Sequence, residues 1–248
     1  MRFATFTSQS RDGRLVVIST DGRRYLEVGD TAPNLLGAIE RWDALMPRLS
    51  ELADRLEQGE GDGFDPANCA APLPRSWQWL DGSAFSTHGE LMQVAFGLDP
   101  IEAEKPLMYQ GLSDRFYGPV DDVPFPGMEH GIDFEGEYGV IVDHVPMGTD
   151  AAEAMKHIKL VVQINDWSLR AIAPVEMKTG FGWVQAKPAC SMAPFAVTPE
   201  ELGDAWQDGR VCLDLEIDWN GKRFGAANGR EMDVGFHDLI AHAAFTRD

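Results

Sequence analysis

The chain has 248 residues, of which 44% are hydrophobic and 25% charged, a balance that excludes an intrinsically disordered protein. Asp and Glu number 40 against 21 Lys and Arg, so the net charge of -19 repels phosphate backbones and nucleic acid is not an expected partner. The sequence opens with no apolar leader and contains no run of about 18 apolar residues, so we expect a cytoplasmic protein with no membrane span.

The first 70 residues predict a small α+β domain. Short strands separated by Asp-Gly turns are predicted at 2–7, 14–20 and 23–28. Apolar residues then recur at helical spacing over 35–56, where Pro47 is compatible with a kink or with the start of a second helix. The Gly-rich segment 59–63 that follows is the predicted boundary or linker.

Residues 71–248 predict a second domain, made mostly of strands. Strands are predicted at 131–142, 159–165 and 211–219, with a return strand from Lys222 after the Asn220-Gly221 turn. Helices are predicted at 86–96, 150–157, 199–207 and 236–246. The fold class is therefore α+β, mostly β.

An acidic strand is the first motif with chemical content. Residues 131–140 alternate so that Asp133, Glu135 and Glu137 share one face. Neighbours on one strand face lie roughly 6.6 to 6.8 Å apart at Cα, so two glutamates can converge on one cation. The alternative is the solvated face of an edge strand.

Asp166 is the second acidic candidate. It directly follows a strongly apolar predicted strand, within Asn165-Asp166-Trp167-Ser168-Leu169-Arg170. A strand that ends in a polar cluster places side chains on a rigid element. The alternative is an Asn-Asp turn without ligands.

The third motif places Asp81 seven residues before His88, in a stretch of small residues. A histidine is the side chain best suited to take a proton from water near neutral pH. The alternative is a histidine that only satisfies its own ring hydrogen bonds. The other five histidines have no comparable setting.

Taken in order, these segments resemble the fumarylacetoacetate hydrolase family from about residue 70 onwards. The matching residues are Asp81 and His88, Tyr109, Glu135 and Glu137, the 165–170 segment, and Lys187. A paired-Glu strand followed about thirty residues later by Asn-Asp-Trp-Ser is a specific combination. The resemblance implies a small N-terminal α+β domain at 1–70 and a fumarylacetoacetase-type β-roll domain at 71–248.

The resemblance also implies a role for each matching residue. Four carboxylates are implied as ligands of Mg²⁺, Ca²⁺ or Mn²⁺, namely Asp81, Glu135, Glu137 and Asp166. Oxygen donors of this kind suit hard cations and argue against zinc. His88 is implied as the general base, Lys187 and Arg170 as further catalytic residues, and Tyr109, Ser83 and Arg170 as substrate contacts.

Three positions depart from the pattern of the animal enzyme. Ser83 occupies the place of a substrate-contacting Tyr, Gly97 that of an Arg, and Ala173 that of a Gln. The substrate contacts therefore differ while the metal ligands match.

The implied function is metal-dependent hydrolysis of a carbon-carbon bond in a β-diketo acid. The first candidate substrate is fumarylacetoacetate, cut to fumarate and acetoacetate in aromatic amino-acid and tyrosine degradation. Acylpyruvate hydrolysis and decarboxylation of an oxaloacetate-type acid are alternatives within the family, and a non-catalytic metal- and ligand-binding domain is the alternative outside it. The expected substrate is a small dicarbonyl anion, and the resemblance implies a homodimer.

The last expectation concerns the C-terminus. The family pattern continues past this point with a Gly-Ser-Gly-Thr loop, a Glu that orients the histidine, and closing strands. The apolar face of the predicted helix 236–246 also needs a partner, so we expect the C-terminal part of the catalytic domain to lie beyond residue 248.

Overall fold

The computed structural model describes residues 1–87, 89 and 105–248. Short strands dominate these residues, which confirms the predicted α+β, mostly β class. The strands are β1 (Arg2–Phe6), β2 (Arg14–Ile18), β3 (Arg24–Glu27), β4 (Asp62–Gly63), β5 (Leu80–Ser83), β6 (Leu107–Gln110), β7 (Ile132–Asp133), β8 (Gly136–Val142), β9 (Ile158–Asn165), β10 (Ser168–Leu169), β11 (Ser191–Met192), β12 (Phe195–Val197), β13 (Trp206–Gln207), β14 (Arg210–Val211), β15 (Asp214–Trp219) and β16 (Lys222–Asn228).

The helices are fewer, and several are single 3₁₀ turns. The α-helices are α1 (Leu35–Ile39), α2 (Trp42–Glu57), α3 (Ala151–His157), α4 (Ala173–Thr179) and α5 (Phe236–Ala243). The 3₁₀ helices cover Gly29–Thr31, Pro66–Asn68, Met128–His130, Pro199–Ala205 and Gly229–Glu231. The predicted helix 86–96 falls mostly outside the described residues.

One eight-stranded sheet combines N-terminal strands with strands from the second half of the chain. Its order is β11-β9-β12-β1-β2-β3-β4, and β8 also pairs with β9. Strand β1 lies between β2 and β12, and all of these pairings are antiparallel. The N-terminal strands are therefore continuous with strands from the second half of the chain.

Helix α2 covers one face of this sheet. Its buried residues Trp42, Leu45, Leu49, Leu52 and Leu56 recur every three or four positions and form one apolar stripe. That stripe joins a single core cluster with residues of β1, β2 and β9. The core therefore lies between helix and sheet and anchors β9, the strand that leads to Asp166.

Local details differ from the sequence-based expectations. The helical region breaks at residues 40–41, whereas Pro47 lies inside α2. Asp62–Gly63, within the segment predicted as a linker, pairs with β3 and extends the sheet. The predicted strand 131–142 is interrupted at residues 134–135, and Pro199–Ala205 is a 3₁₀ helix with a non-helical Gly203.

The C-terminal helix α5 has its apolar face covered. Phe236 and Leu239 are buried in a cluster with Ala84, Ile158 and Met232. A Cβ on Gly82 of β5 would lie 3.0 Å from a Leu239 methyl carbon, so helix and strand are in close contact. Helix α5 therefore packs on the strand that carries Asp81, and the expectation that the catalytic domain continues beyond residue 248 stays a prediction.

Candidate metal centre and active site

Three carboxylates from separate strands converge. Asp81 lies on β5, Glu137 on β8, and Asp166 directly after β9. One oxygen from each lies within 4.8 Å of the others. Glu137 lies near the start of β8 and pairs with Ile164 of β9, two residues before Asp166. Because the two strands are antiparallel, the start of β8 lies beside the end of β9, and the two acids come together. Asp81 lies on β5, which pairs antiparallel with β6 and places it opposite Tyr109.

Asp166 is the most enclosed member, with 1% of its side chain exposed. Its Oδ2 accepts hydrogen bonds from the Tyr109 hydroxyl at 2.8 Å and from Lys187 Nζ at 2.7 Å. Its Oδ1 accepts one from the Cys190 thiol at 3.1 Å. Three donors therefore fix the carboxylate, as expected for a buried charge.

Glu135, the fourth predicted ligand, lies beside this cluster and is held by cations. Lys187 Nζ is 2.9 Å from its Oε2, and an Arg170 guanidinium nitrogen is 2.6 Å from its Oε1. The Ser168 hydroxyl also donates to Oε1 at 3.2 Å. Lys187 thus bridges Glu135 and Asp166, so Glu135 lies beside the three converging acids, and its role as a fourth ligand stays a prediction.

The electrostatics of the three converging acids favour a bound cation. Burial and the neighbouring Asp166 carboxylate raise the pKa of Asp81 to about 7. Burial, Asp81 and Asp166 likewise raise the pKa of Glu137 well above its ordinary value. Both groups resist ionisation because their charges are desolvated and close together. A divalent cation would relieve that repulsion, and carboxylate oxygens are ligands that Mg²⁺, Mn²⁺ and Ca²⁺ accept.

Glu135 behaves differently. Burial opposes its ionisation, but Lys187 and Arg170 outweigh burial and lower its pKa. Burial also acts against the charge on Lys187, but Asp166 and Glu135 outweigh it and raise the pKa of the ammonium. The Lys187–Glu135 pair is therefore charged over the physiological pH range.

The remaining sequence-predicted residues surround these acids. Tyr109 contacts Asp166 through its hydroxyl, and burial with the nearby Asp81 and Asp166 raises its pKa, so it stays protonated. Arg170 donates to Asp133 at 2.8 Å as well as pairing with Glu135. Ser83 lies two residues after Asp81 on β5 and is exposed. The predicted substrate contacts of Ser83 and Arg170 stay predictions.

His88 and Gly97 lie outside the described residues, so the role of His88 as general base stays a prediction from the sequence. Ala173 is buried at the start of α4.

Cys190 is a contact that the sequence did not indicate. Burial and Asp166 raise the pKa of its thiol, which therefore remains a protonated donor. Its position three residues after Lys187 is a weak signal, because a single cysteine among apolar residues is usually part of the core. The contact follows only from the folded arrangement.

A groove away from the three converging acids is another candidate binding site. It has a volume of about 310 Å³ and is lined by Met155, Ile158, Pro199, Trp206 and neighbouring residues. None of the three converging acids is among the described residues that line it. We therefore place the candidate site at the acids.

Among residues 1–87, 89 and 105–248, no helix combines the length and the apolar character needed to cross a membrane.

Comparison with known proteins gives a consistent family assignment. Residues 1–75 match the model of the fumarylacetoacetase N-terminal domain 2, and residues 78–247 match that of the fumarylacetoacetate (FAA) hydrolase C-terminal domain.

Two characterised relatives align with the chain. It is 31% identical over 149 residues to a 2,4-didehydro-3-deoxy-L-rhamnonate hydrolase of Sphingomonas sp. (strain SKA58), covering 58% of this chain and 49% of that protein. It is 24% identical over 248 residues to human mitochondrial oxaloacetate tautomerase FAHD2B, covering 94% of this chain and 76% of that protein. The chain spans about half the length of several relatives that it matches.

One similar solved structure is that of maleylpyruvate hydrolase from Sphingobium sp. SYK-6 in complex with manganese (II) ion and pyruvate. It superposes on this chain with a TM-score of 0.71 at 16% identity, and the match covers 99% of this chain and 83% of that one. This similarity confirms the predicted fold. Because the C-terminal family model matches more than half of the residues, the chain belongs to the fumarylacetoacetate hydrolase family.

Proposed function

We propose that this protein is a divalent-metal-dependent enzyme that hydrolyses a carbon-carbon bond in an acylpyruvate-type β-diketo acid. The observation that carries the proposal is the convergence of Asp81, Glu137 and Asp166 within 4.8 Å, next to the Lys187 ammonium. Fumarylacetoacetate remains a candidate substrate. The departures at Ser83 and Ala173 favour other members of the same substrate class.

Asp81, Glu137 and Asp166 would hold the cation, with Mg²⁺, Mn²⁺ and Ca²⁺ as the candidates. When bound, such a cation supplies a Lewis acid for the two oxygens of a 1,3-dicarbonyl acid. Lys187 has three N–H donors, and Glu135 and Asp166 account for two of them. The third can donate to a substrate oxygen on which negative charge develops, in a site with little water.

The chain's other groups have complementary tasks. His88 would take a proton from the attacking water, which adds to one carbonyl carbon. The carbon-carbon bond then breaks, the attacked carbon becomes a carboxylate, and the carbon leaving group departs as an enolate that takes up a proton. The Tyr109 hydroxyl donates to Asp166 at 2.8 Å and so holds this carboxylate in place. Arg170 holds Glu135 and Asp133, which keeps Glu135 ionised as the partner of Lys187.

A second candidate is tautomerisation of an oxaloacetate-like acid. The human oxaloacetate tautomerase aligns over 94% of this chain, which favours this chemistry. Tautomerisation needs proton transfer between carbon and oxygen but no added water. Among the described residues, Lys187 and Tyr109 are both protonated and could only supply a proton, so His88 would have to take it up.

The test is turnover of a panel that contains fumarylacetoacetate, short acylpyruvates and oxaloacetate, with Mg²⁺ or Mn²⁺. We expect chelator to abolish turnover and added cation to restore it, and Asp81→Asn to lose it with little change in side-chain volume. Water-derived ¹⁸O in a cleaved product identifies hydrolysis, whereas enol-to-keto conversion without cleavage identifies the tautomerase. No turnover of any panel member, with the cation bound, would refute the enzyme proposal and favour a binding domain.

A further inference from the structure

Glu176, in α4, binds three consecutive backbone amides of the segment that leads to Lys187. Its Oε1 accepts the N–H groups of Val184 at 3.3 Å and Gln185 at 2.9 Å, and its Oε2 accepts that of Ala186 at 2.9 Å. A charged acceptor makes such bonds about twice as strong as a neutral one. One side chain therefore fixes the backbone of three residues that have no regular secondary structure.

The fixed segment connects directly to the candidate site. The Ala186 carbonyl accepts the Leu169 N–H at 2.8 Å, so the buried Ala186 peptide is held on both sides. Lys187 follows, and its Nζ reaches Glu135 at 2.9 Å and Asp166 at 2.7 Å. A displacement of the Ala186 peptide would therefore move the Lys187 backbone.

The same segment also carries Trp183 against Tyr109. The two rings meet edge to face with centroids 6.1 Å apart. The Tyr109 hydroxyl donates to Asp166, so two links run from this segment to one carboxylate. Phe181 and Val184 in the segment are exposed, so apolar burial of these two side chains does not hold it in place.

We propose that Glu176 is a positioning residue for Lys187. Its carboxylate fixes the amides of 184–186 and so sets the point from which the ammonium reaches Glu135, Asp166 and the substrate. The inference rests on the proposed function, because Lys187 must act on the substrate for its position to affect turnover. Among the described residues, the hydrogen bonds of the Glu176 carboxylate go to these amides and to none of the three converging acids.

Glu176→Gln is the informative change because it keeps the shape and replaces one acceptor oxygen with an NH₂ donor. Whichever way the amide turns, at least one backbone N–H then faces a donor. We expect kcat to fall by about a hundredfold, since small misplacements of an acting group have effects of that size. Exposed Glu231→Gln is the matched control and should leave kcat unchanged.

A double-mutant cycle separates positioning from simple structural support. Lys187→Met removes the ammonium, and if Glu176 acts through Lys187, then adding Glu176→Gln to Lys187→Met causes little further loss of kcat. Losses that multiply in the double variant would overturn the proposal. A wild-type kcat in the folded Glu176→Gln variant would also overturn the proposal.

A readout without turnover keeps this inference separate from the proposed function. Buried, ion-paired Lys187 should resist acylation by a water-soluble N-hydroxysuccinimide ester, measured by peptide mass spectrometry. We expect Glu176→Gln to increase labelling of Lys187 at least tenfold, with Glu231→Gln matching the wild type. Unchanged labelling would overturn the positioning role even if the enzyme is active. Increased labelling in a protein that turns over no panel member would support the positioning geometry and refute only the proposed function.

Discussion

The repulsion among the three converging acids makes a quantitative prediction for Glu137→Gln. At separations of 4.8 Å or less, each ionised pair costs at least about 3.5 kcal/mol at an effective dielectric constant of about 20. Glu137 forms two such pairs, with Asp81 and Asp166. The amide removes one charge with almost no change in volume, so the variant tests charge and not packing.

The pKa of Asp81 shows how the metal-free protein avoids this cost. Its rise from 3.8 to about 7 corresponds to about 4 kcal/mol against the ionised form. Folded Asp81 therefore binds a proton more tightly than unfolded Asp81. Between pH 4 and 7 the folded state holds the extra proton, so this group makes the free energy of unfolding decrease as pH rises.

Glu137→Gln should weaken the pH dependence of stability, because the variant loses the raised pKa of Glu137, which acts in the same direction as that of Asp81. In chelator, we expect the melting temperature of the wild type to fall more between pH 5 and 7.5 than that of the variant. Added Mn²⁺ or Mg²⁺ should raise the melting temperature of the wild type more than that of the variant. A cation at a hundredfold its Kd stabilises the wild type by about 2.7 kcal/mol, and the variant, with two carboxylates left, gains less.

The assay is thermal unfolding across pH, with and without cation, for wild type, Glu137→Gln and Glu231→Gln. The exposed Glu231 controls for the loss of one carboxylate anywhere on the surface. Equal pH dependence and equal cation-induced shifts in the wild type and Glu137→Gln would refute both the repulsion argument and the assignment of Glu137 as a ligand.

Three further predictions concern the residues around Asp166 and the proposed base. Cys190→Ala should weaken cation binding by about tenfold in calorimetry, because a partner that orients a ligand is lost, while Cys190→Ser, which keeps a donor, stays closer to wild type. Tyr109→Phe should lower kcat and also lower the melting temperature, because the buried Asp166 carboxylate loses one of its three donors although the ring contact with Trp183 survives; a kcat equal to wild type would exclude a role for the hydroxyl in turnover. His88→Ala should lower turnover by about a hundredfold to ten-thousandfold with cation affinity unchanged, and loss of that affinity would show that His88 is a ligand instead.

The sequence predicted those elements whose pattern is local. Strands β1 to β3 follow from short runs bounded by Asp-Gly turns, and helix α2 follows from a regular apolar stripe. Helix α4 was not predicted, although Pro174 in its first turn and Gly180 at its left-handed C-cap are typical end signals. Its seven residues are too few for periodicity to stand out.

Long-range pairing explains the errors near the site. Alternation over 131–142 predicted one strand, but Asp133 pairs with Ser168 whereas Gly136 pairs with Asn165. The chain changes partner between them, and the Glu135 carbonyl there accepts the Asp166 N–H at 2.9 Å. This change of partner leaves Glu135 between β7 and β8, whereas Glu137 lies on β8, and no local pattern encodes it.

The distribution of charge at the site implies an order of binding. In the described residues, Lys187 and Arg170 are engaged by Glu135, Asp133 and Asp166, so their charge is largely committed to the protein. Asp81 and Glu137 then leave the site negative whenever they ionise, in a chain whose net charge is already -19. A dicarbonyl anion meets repulsion there until a cation offsets those carboxylates. Substrate affinity should therefore depend on prior occupancy by the cation, and the dependence should steepen above pH 7, where Asp81 is ionised in the metal-free site. Equal affinity for a non-reactive acylpyruvate analogue with and without cation at pH 8 would show that Lys187 and Arg170 bind the substrate unaided.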